Sequence, residues 1–315
     1  MSNIRDVAKM SGHSVSTVSR VINNQSYVAK ETKEEILKAM KELNYHPNDI
    51  ARALSTGKTY RVGVVMPYNN HPYFQKLVSA ITQAAFKENY QVTLLPSHYN
   101  VKSEIKCLEM LKHQAFDGLI FTSRAIPFET IVEYQKYGSI TCCEDTLNYP
   151  ISCAYTDREK SYVDAFELLK KLKFQNIGVT ISRNEQTSRS AKSTVDSYYK
   201  VFEKRCPEKL LVRNMQFFKD GIQAAKELTA QNPNLDAVFA NGDQVAAGII
   251  YQLKKMQIDV PVIGQENLDY SYLMNFSTID HKLNEIGEYA FWSLFEKKIV
   301  KKLIPAEFIL RGALI

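Results

Sequence analysis

An all-α helix-turn-helix head followed by a two-lobed α/β core with parallel sheets is what this sequence predicts, and three observations predict it. Apolar residues recur at helical spacing in three short runs before residue 45. From Arg61 onward, short continuous apolar runs alternate with longer amphipathic stretches, the rhythm of parallel strands covered by helices on both faces. That alternation comes in two series, the second beginning near Asp157, so the core divides into two similar lobes. The boundaries are residues 1–58 for the head with its linker and 59–315 for the core. Within the core, one lobe covers about 60–157 and the other about 158–285.

In the head, Ile4, Val7 and Ala8 make the apolar stripe of a first helix, and Ser11-Gly12-His13 breaks it. Ser14 is a suitable N-cap, offering an oxygen to the free amides of the next turn. Val18, Val21 and Ile22 then form the inner stripe of a second helix, leaving Val15, Ser16, Ser19 and Arg20 outside with no acid among them. Hydroxyls and one arginine suit a phosphate-lined groove. Helix, glycine-bearing turn and helix make the layout in which the second helix enters the DNA major groove. Glu31–Asn44 reads as a third helix with Ile36, Leu37, Met40 and Leu43 inward. Beyond it, Pro47-Asn48 begins a short helix with Ile50, Ala51 and Leu54 apolar and Gly57 as its stop, over about 47–57. About two turns is too short to be stable alone in water, so this linker is expected to become helical when paired with its twin on DNA.

The core reads in order as strand Val62–Met66, helix Tyr73–Asn89, strand Gln91–Pro96, helix Lys102–His113, strand Gly118–Thr122, helix Phe128–Lys136 and strand Ser139–Cys143. The second series runs from a helix ending at Lys173 through strand Ile177–Ile181 and helices Ala191–Lys204 and Gly221–Gln231. Strand Ala237–Ala240, helix Gln244–Met256 and strand Pro261–Gly264 complete it. Ligands of such sheets bind at the carboxyl ends of strands, in the crevice between lobes. Tyr73 and Phe74, just past the first strand, are an aromatic plate for a sugar face, or the packing of a helix start. Asp157 is a cleft residue or a helix cap. Asn241 and Asp243 follow the strand Ala237–Ala240, and Asp243 can equally cap its helix.

A chain of 315 residues suits two or three domains, and no run approaches the ~18 apolar residues of a membrane span. The first residues, with Arg5, Asp6 and Lys9, hold no apolar leader core. A cytoplasmic protein is the expectation. The net charge of +6 is uneven: residues 1–61 carry ten Lys/Arg against six Asp/Glu, and the remainder 30 against 28. A surplus placed in the small head is what a nucleic-acid partner asks for. Cys107, Cys142, Cys143, Cys153 and Cys206 have no CxxC spacing and read as reduced, buried thiols, and the six histidines are scattered. No metal or other cofactor is expected. Gly57-Lys58-Thr59 resembles the tail of a phosphate loop but lacks the glycine at position 52, which is Arg. No nucleophile elbow, paired-carboxylate spacing or cofactor fingerprint points to an enzyme. Glu144-Asp145 reads as loop solvation.

Specific wording then carries a resemblance. Asn3-Ile4-Arg5-Asp6-Val7-Ala8, Thr17-Val18-Ser19-Arg20-Val21-Ile22-Asn23, Glu42-Leu43-Asn44-Tyr45-His46-Pro47-Asn48 and Ala51-Arg52-Ala53-Leu54 stand in register. Arg61-Val62-Gly63-Val64-Val65-Met66-Pro67 and His71-Pro72-Tyr73-Phe74 continue the series. The chain resembles the LacI/GalR family of bacterial transcriptional regulators over essentially its whole length, most strongly over residues 3–75. The resemblance implies a periplasmic-binding-protein-like core whose lobes hinge around a cleft, with Phe276–Ile315 crossing between them. It implies that Val15 and Ser16 discriminate the operator and that Arg20 reaches a base edge, a fork that fits guanine O6 and N7. Ser14, Thr17, Ser19 and Asn23 hold phosphates or cap helices. Asn48, Ala51 and Leu54 lie on the hinge helix, with Leu54 as a minor-groove wedge.

In the cleft, Phe74, Asn241 and Asp243 match family ligand positions, and Glu266 stands where the family usually has an aspartate. An arginine about four residues before an aromatic grips the effector in the family. Here the aromatic is Tyr198 and that position holds Thr194, with Arg189 and Lys192 nearby. The function implied is a repressor of carbohydrate-metabolism genes, a homodimer on inverted-repeat operator DNA, gated by a sugar or sugar derivative. The change at Thr194 motivates an alternative in which the core answers to a protein corepressor.

Overall fold

The computed structural model describes residues 2–23, 27–46 and 57–314. The chain divides between Tyr60 and Arg61 into two units. The first contains α1 (Ile4–Ser11), α2 (Val15–Ile22) and α3 (Lys30–Glu42). Its core is six buried side chains, Val7, Ala8, Val18, Val21, Ile36 and Ala39. Asn3 and Asp6 form a reciprocal capping box at the start of α1, and Gly12, at φ 71°, ends it in the left-handed conformation that glycine adopts without penalty. His13 Nε2 lies 2.7 Å from Glu35 Oε2, which ties the turn to α3. One expectation is corrected: Leu37 is 47 % exposed. The inner face runs from Ile36 through Ala39, Met40 and Leu43, and Leu37 lies about 100° further round the helix.

The first lobe of the second unit contains β1 (Arg61–Met66), α4 (Pro72–Lys87), β2 (Gln91–Pro96), α5 (Val101–Lys112), β3 (Gly118–Phe121), α6 (Phe128–Tyr134), β4 (Ser139–Cys142) and β5 (Ser152–Asp157). The second lobe contains α7 (Glu159–Lys171), β6 (Ile177–Thr180), α8 (Arg189–Phe202), β7 (Leu211–Val212), α9 (Phe218–Gln231), β8 (Ala237–Phe239), α10 (Asp243–Lys255), β9 (Val262–Ile263) and α11 (Asp269–Leu273). After these come β10 (Thr278–Asp280), α12 (Leu283–Trp292), β11 (Lys301–Pro305) and β12 (Glu307–Ile309). The first sheet has the order β11-β5-β4-β3-β1-β2 and the second β7-β6-β8-β9. Every pairing in both is parallel. An antiparallel ribbon joins β10 to β12.

Parallel strands covered on both faces are apolar throughout, as Val62, Val64 and Val65 of β1 and Ile177 and Val179 of β6 show; all five are buried. The chain passes between the lobes three times: from β5 to α7, from β10 to α12, and from β11 to β12. Leu283, Ile286, Ala290 and Phe291 of α12 pack in the first lobe, while Ile279 of β10 and Phe308 of β12 pack in the second. The last segment therefore has α12 and β11 in the first lobe and β10 and β12 in the second. Helices α9 and α10 cross so closely that a Cβ on Gly248 would stand 2.1 Å from the Phe218 carbonyl oxygen. All five cysteines are buried and unpaired.

Candidate functional site

On α2, Ser14 caps the helix by accepting the Thr17 amide at 3.2 Å, and its Oγ also lies 2.8 Å from both Ser16 Oγ and Thr17 Oγ1. Three hydroxyls are thus gathered at a helix N-terminus with no acid in its first turn, where the free amides and the helix dipole favour an anion. Val15 is 42 % exposed beside them. Arg20 is exposed with no partner among the described residues, leaving its whole fork available. Ser19 and Asn23 bond to each other at 3.4 Å, and the Asn23 amide closes the helix on the Ser19 carbonyl. Asn23 is therefore a cap. Asn48, Ala51 and Leu54 lie outside the described residues.

The second site is a cleft between the lobes of the core, with a cavity of about 130 Å³. This is below the ~300–1,000 Å³ of drug-sized pockets and suits one small metabolite. The first lobe supplies an aromatic wall. Phe74 meets Tyr73 edge-on at 5.0 Å between ring centroids and His71 at 5.4 Å, with Tyr68 and Tyr99 continuing it at 5.9 Å from each other. His71 caps α4, its Nδ1 accepting the Tyr73 amide at 3.3 Å. Its Nε2 lies 3.1 Å from the Gln216 carbonyl across the cleft and therefore carries the proton. Burial lowers its pKa to about 4, so the ring is neutral.

The opposite wall is polar. Arg158, at the passage from β5 to α7, donates to Tyr73 Oη at 3.2 Å, and its buried Nε has no partner among the described residues. Arg183, just past β6, stacks on Tyr99 with its guanidinium carbon 3.8 Å from the ring centroid. Arg189 binds Asp145 across the cleft at 3.0 Å. Lys76 donates to the Glu266 and Asn267 carbonyls at 3.5 and 3.3 Å. Glu266 is only 4 % exposed, and its Oε2 has no partner among the described residues. Desolvation, reinforced by nearby Asp243, pushes its pKa well above the carboxylate range. Its backbone sits at φ 101°, which costs a non-glycine residue about 1–3 kcal/mol. The bond from its amide to the Ile279 carbonyl at 2.6 Å holds it there.

The cleft brings Tyr73, Phe74, Arg189, Asn241 and Glu266 together and leaves two expected members out. Asp243 is fully buried beneath it, accepting from Thr278 Oγ1 at 2.6 Å and the Leu268 amide at 2.7 Å. Asp157 caps α7 through the Glu159 amide at 3.0 Å. Asn241 has its side chain committed to Thr180 Oγ1 and the Met215 carbonyl, so it shapes the wall. Thr194 is 2 % exposed and bonds the Ser190 carbonyl; the cations come from other positions. Glu144 is corrected outright. It lines the cavity, lies 3.3 Å from Arg124, and its pKa is raised by desolvation against the pull of Arg124, Arg183, Arg189 and Arg158. Arg183 could have been found from its position just past a strand end. His71, beside Tyr73, could have been found the same way; Arg158 and His281 could not, since they follow β5 and β10, strands that local spacing does not announce.

A helical head presenting hydroxyls and a free arginine, together with a two-lobed core enclosing a cleft, defines a DNA-binding regulator with a ligand-binding core. Residues 3–48 match the family model described as bacterial regulatory proteins, lacI family. Residues 59–287 match periplasmic binding proteins and sugar binding domain of LacI family. The chain is 41% identical over 295 residues to catabolite control protein B of Bacillus subtilis (strain 168), covering 94% of each. It is 28% identical over 309 residues to the ribose operon repressor of Halalkalibacterium halodurans, covering 96% of this chain and 92% of that one. Its fold is similar to that of the lac repressor dimer bound to operator and the anti-inducer ONPF, with a TM-score of 0.84 at 21% identity over 100% of this chain and 99% of that one. The protein belongs to the LacI family and is a DNA-binding transcriptional regulator. Among the described residues no helix is long and apolar enough to cross a membrane.

Proposed function

We propose that this regulator is a cytoplasmic, homodimeric repressor of genes for sugar uptake or breakdown, and that a sugar-class ligand in the cleft sets its affinity for an inverted-repeat operator. The observation that carries the ligand half is the pair of buried, partnerless polar atoms facing the aromatic wall, Glu266 Oε2 and Arg158 Nε. Buried polar groups are ordinarily hydrogen-bonded. A hydroxylated ring bonding these groups while laying its apolar face on Tyr73 and Phe74 satisfies both chemistries at once. In the head, Val15 and Ser16 contact bases, Arg20 reads a guanine, and Ser14, Thr17 and Ser19 set the register on phosphates. Asn48, Ala51 and Leu54 remain candidates for the minor groove. Kinship with a catabolite control protein and a ribose operon repressor points to carbohydrate genes. The corepressor alternative rests on the absence of an effector-gripping arginine at Thr194; against it, Arg158, Arg183 and Arg189 line the same cleft from other positions.

A ligand shifts operator affinity only by its differential affinity for the two states of the core, ordinarily about 1–3 kcal/mol or roughly 5–150-fold. The test is a joint screen of thermal stability and operator affinity against mono- and disaccharides. A sugar that moves both signals supports the reading. Tight operator binding that no ligand alters, with no stabilisation of the core, refutes the sugar-gated part.

A further inference from the structure

The cleft holds more positive charge than its own acids answer. Four guanidiniums, those of Arg124, Arg158, Arg183 and Arg189, lie close enough to act on the Glu144 carboxyl. Two of them have carboxylate partners: Arg189 has Asp145 at 3.0 Å, and Arg124 has Glu144 at 3.3 Å. The other two do not. Arg158 gives one hydrogen bond to Tyr73 and keeps a buried Nε without a partner. Arg183 has the face of Tyr99 against it and, among the described residues, no hydrogen bond or carboxylate. Glu266, the remaining acid of the cavity, is buried, makes no hydrogen bond to Arg158, and leaves Oε2 unpaired. Burial pushes its pKa up, and among the described residues it forms no ion pair with Arg158. His71 and His281, both neutral through burial, add no charge of either sign.

A half-buried guanidinium left unpaired is costly, and a planar fork is shaped for a phosphate or carboxylate. We infer that the effector is an anionic sugar derivative whose phosphate or carboxylate docks between Arg158 and Arg183, while its ring lies on Tyr73 and Phe74 and a hydroxyl donates to Glu266. This rests on the cleft being the effector site. It goes further in naming the charge of the ligand and the residues that read it.

The test uses the full-length protein and pairs of ring sugars that differ by one anionic group: glucose and glucose 6-phosphate, ribose and ribose 5-phosphate, glucose and glucuronate. Inorganic phosphate alone is the control. Calorimetric titration is expected to show the charged member of at least one pair binding at least about tenfold tighter than its neutral partner, the effect of one charge-assisted hydrogen-bond pair. The phosphate and glucuronate arms tell which anion the site takes. Arg183→Gln, on a side chain that anchors nothing but a ring face, is expected to lose about tenfold or more of that preference with the melting temperature unchanged. Arg158→Lys, which keeps the charge and loses the fork, is expected to lose part of it. Neutral sugars binding as tightly as their charged partners, or a preference untouched by both substitutions, overturns the inference while leaving the cleft as a sugar site. Inorganic phosphate binding as tightly as any sugar phosphate overturns the sugar part. Failure of every compound to bind overturns the effector-site reading and this inference with it.

Discussion

Val18 and Arg20 stand two residues apart on α2, one inside and one outside, and their truncations are expected to separate stability from recognition. Val18 is fully buried among only six such side chains. Val18→Ala removes two carbons, about 1.6 kcal/mol of transfer free energy, and the cavity left behind brings the cost to about 2–3 kcal/mol. A folded unit of some 60 residues is stable by about 3–9 kcal/mol, so the head stays mostly folded at 25 °C while its opening constant rises about 70-fold. Apparent operator affinity is the intrinsic affinity scaled by the folded fraction of each head, so it falls by no more than about twofold per half-site. Arg20→Ala is expected to do the reverse. Arg20 is exposed and partnerless among the described residues, so the head's stability moves by no more than about 0.5 kcal/mol. Loss of a bidentate base contact costs about 1–3 kcal/mol per half-site, and discrimination at one base pair relaxes. Amide exchange across α1–α3 in the whole protein reads the first quantity, and anisotropy titration of an inverted-repeat duplex reads the second. If Val18→Ala weakens operator binding as much as Arg20→Ala, or Arg20→Ala accelerates exchange comparably, the division of α2 into a packed and a reading face is wrong.

The remaining predictions concern the core. Gly248→Ala places a methyl 2.1 Å from the backbone oxygen of Phe218, so α9 and α10 must separate; a loss of about 1–3 kcal/mol in denaturant unfolding is expected, with exchange in the head unchanged. His71 has its pKa lowered to about 4. The folded state binds fewer protons than the unfolded between pH 4 and 6.5, so the stability His71 contributes is complete above 6.5 and is lost as pH falls through that window, at most about 3 kcal/mol. His71→Gln keeps a donor for the Gln216 carbonyl, and melts at pH 7 and 4.5 are expected to differ less than in the parent; an unchanged difference counts against a neutral, buried His71. Glu266 and Asp243 carry the opposite sign. Both pKa values are raised, Asp243 to about 7, so the folded state keeps protons that the unfolded chain releases near pH 4, and stability falls as pH rises through 7. Glu266→Gln removes one share of that fall, and a melting temperature declining above about pH 4.5 as steeply as in the parent would contradict it.

What could be read from the sequence was whatever local spacing encodes. The capped, glycine-broken helices of the head follow from periodicity within a few residues, and Val62–Met66 or Ile177–Thr180 announce themselves as aliphatic runs. Strand β5, Ser-Cys-Ala-Tyr-Thr-Asp, does not. It lies between β4 and β11 with its first four residues and Thr156 either buried or half-buried, and small and hydroxylated side chains fill that space without any aliphatic signature. The same limit applies to the cleft. Tyr73, Phe74 and Glu266 follow strand ends and could be named. Glu144 and Asp145 looked like a solvated acidic pair because nothing nearby in sequence reveals that one is half-buried against Arg124 and the other grips an arginine of the opposite lobe. Aspartates 157 and 243 stayed open between ligand group and cap because both roles share one position after a strand; Asp157 takes the Glu159 amide, and Asp243 takes Thr278 and the Leu268 amide from a segment some 25 residues further on.

The order of β11 in the first sheet has a consequence for how the protein is made. That sheet is begun by the strands translated first after residue 60, yet one of its edges is closed by Lys301–Pro305, and α12 at Leu283–Trp292 covers one of its faces. On the ribosome the first lobe therefore waits, with β5 bare along one side, while the second lobe's helices and strands are translated and can pack. An unpaired parallel edge is a template for another chain. Premature stops after residue 280 are thus expected to yield protein that aggregates through an unfinished first lobe, even though its reading head and second-lobe sheet have been synthesised intact.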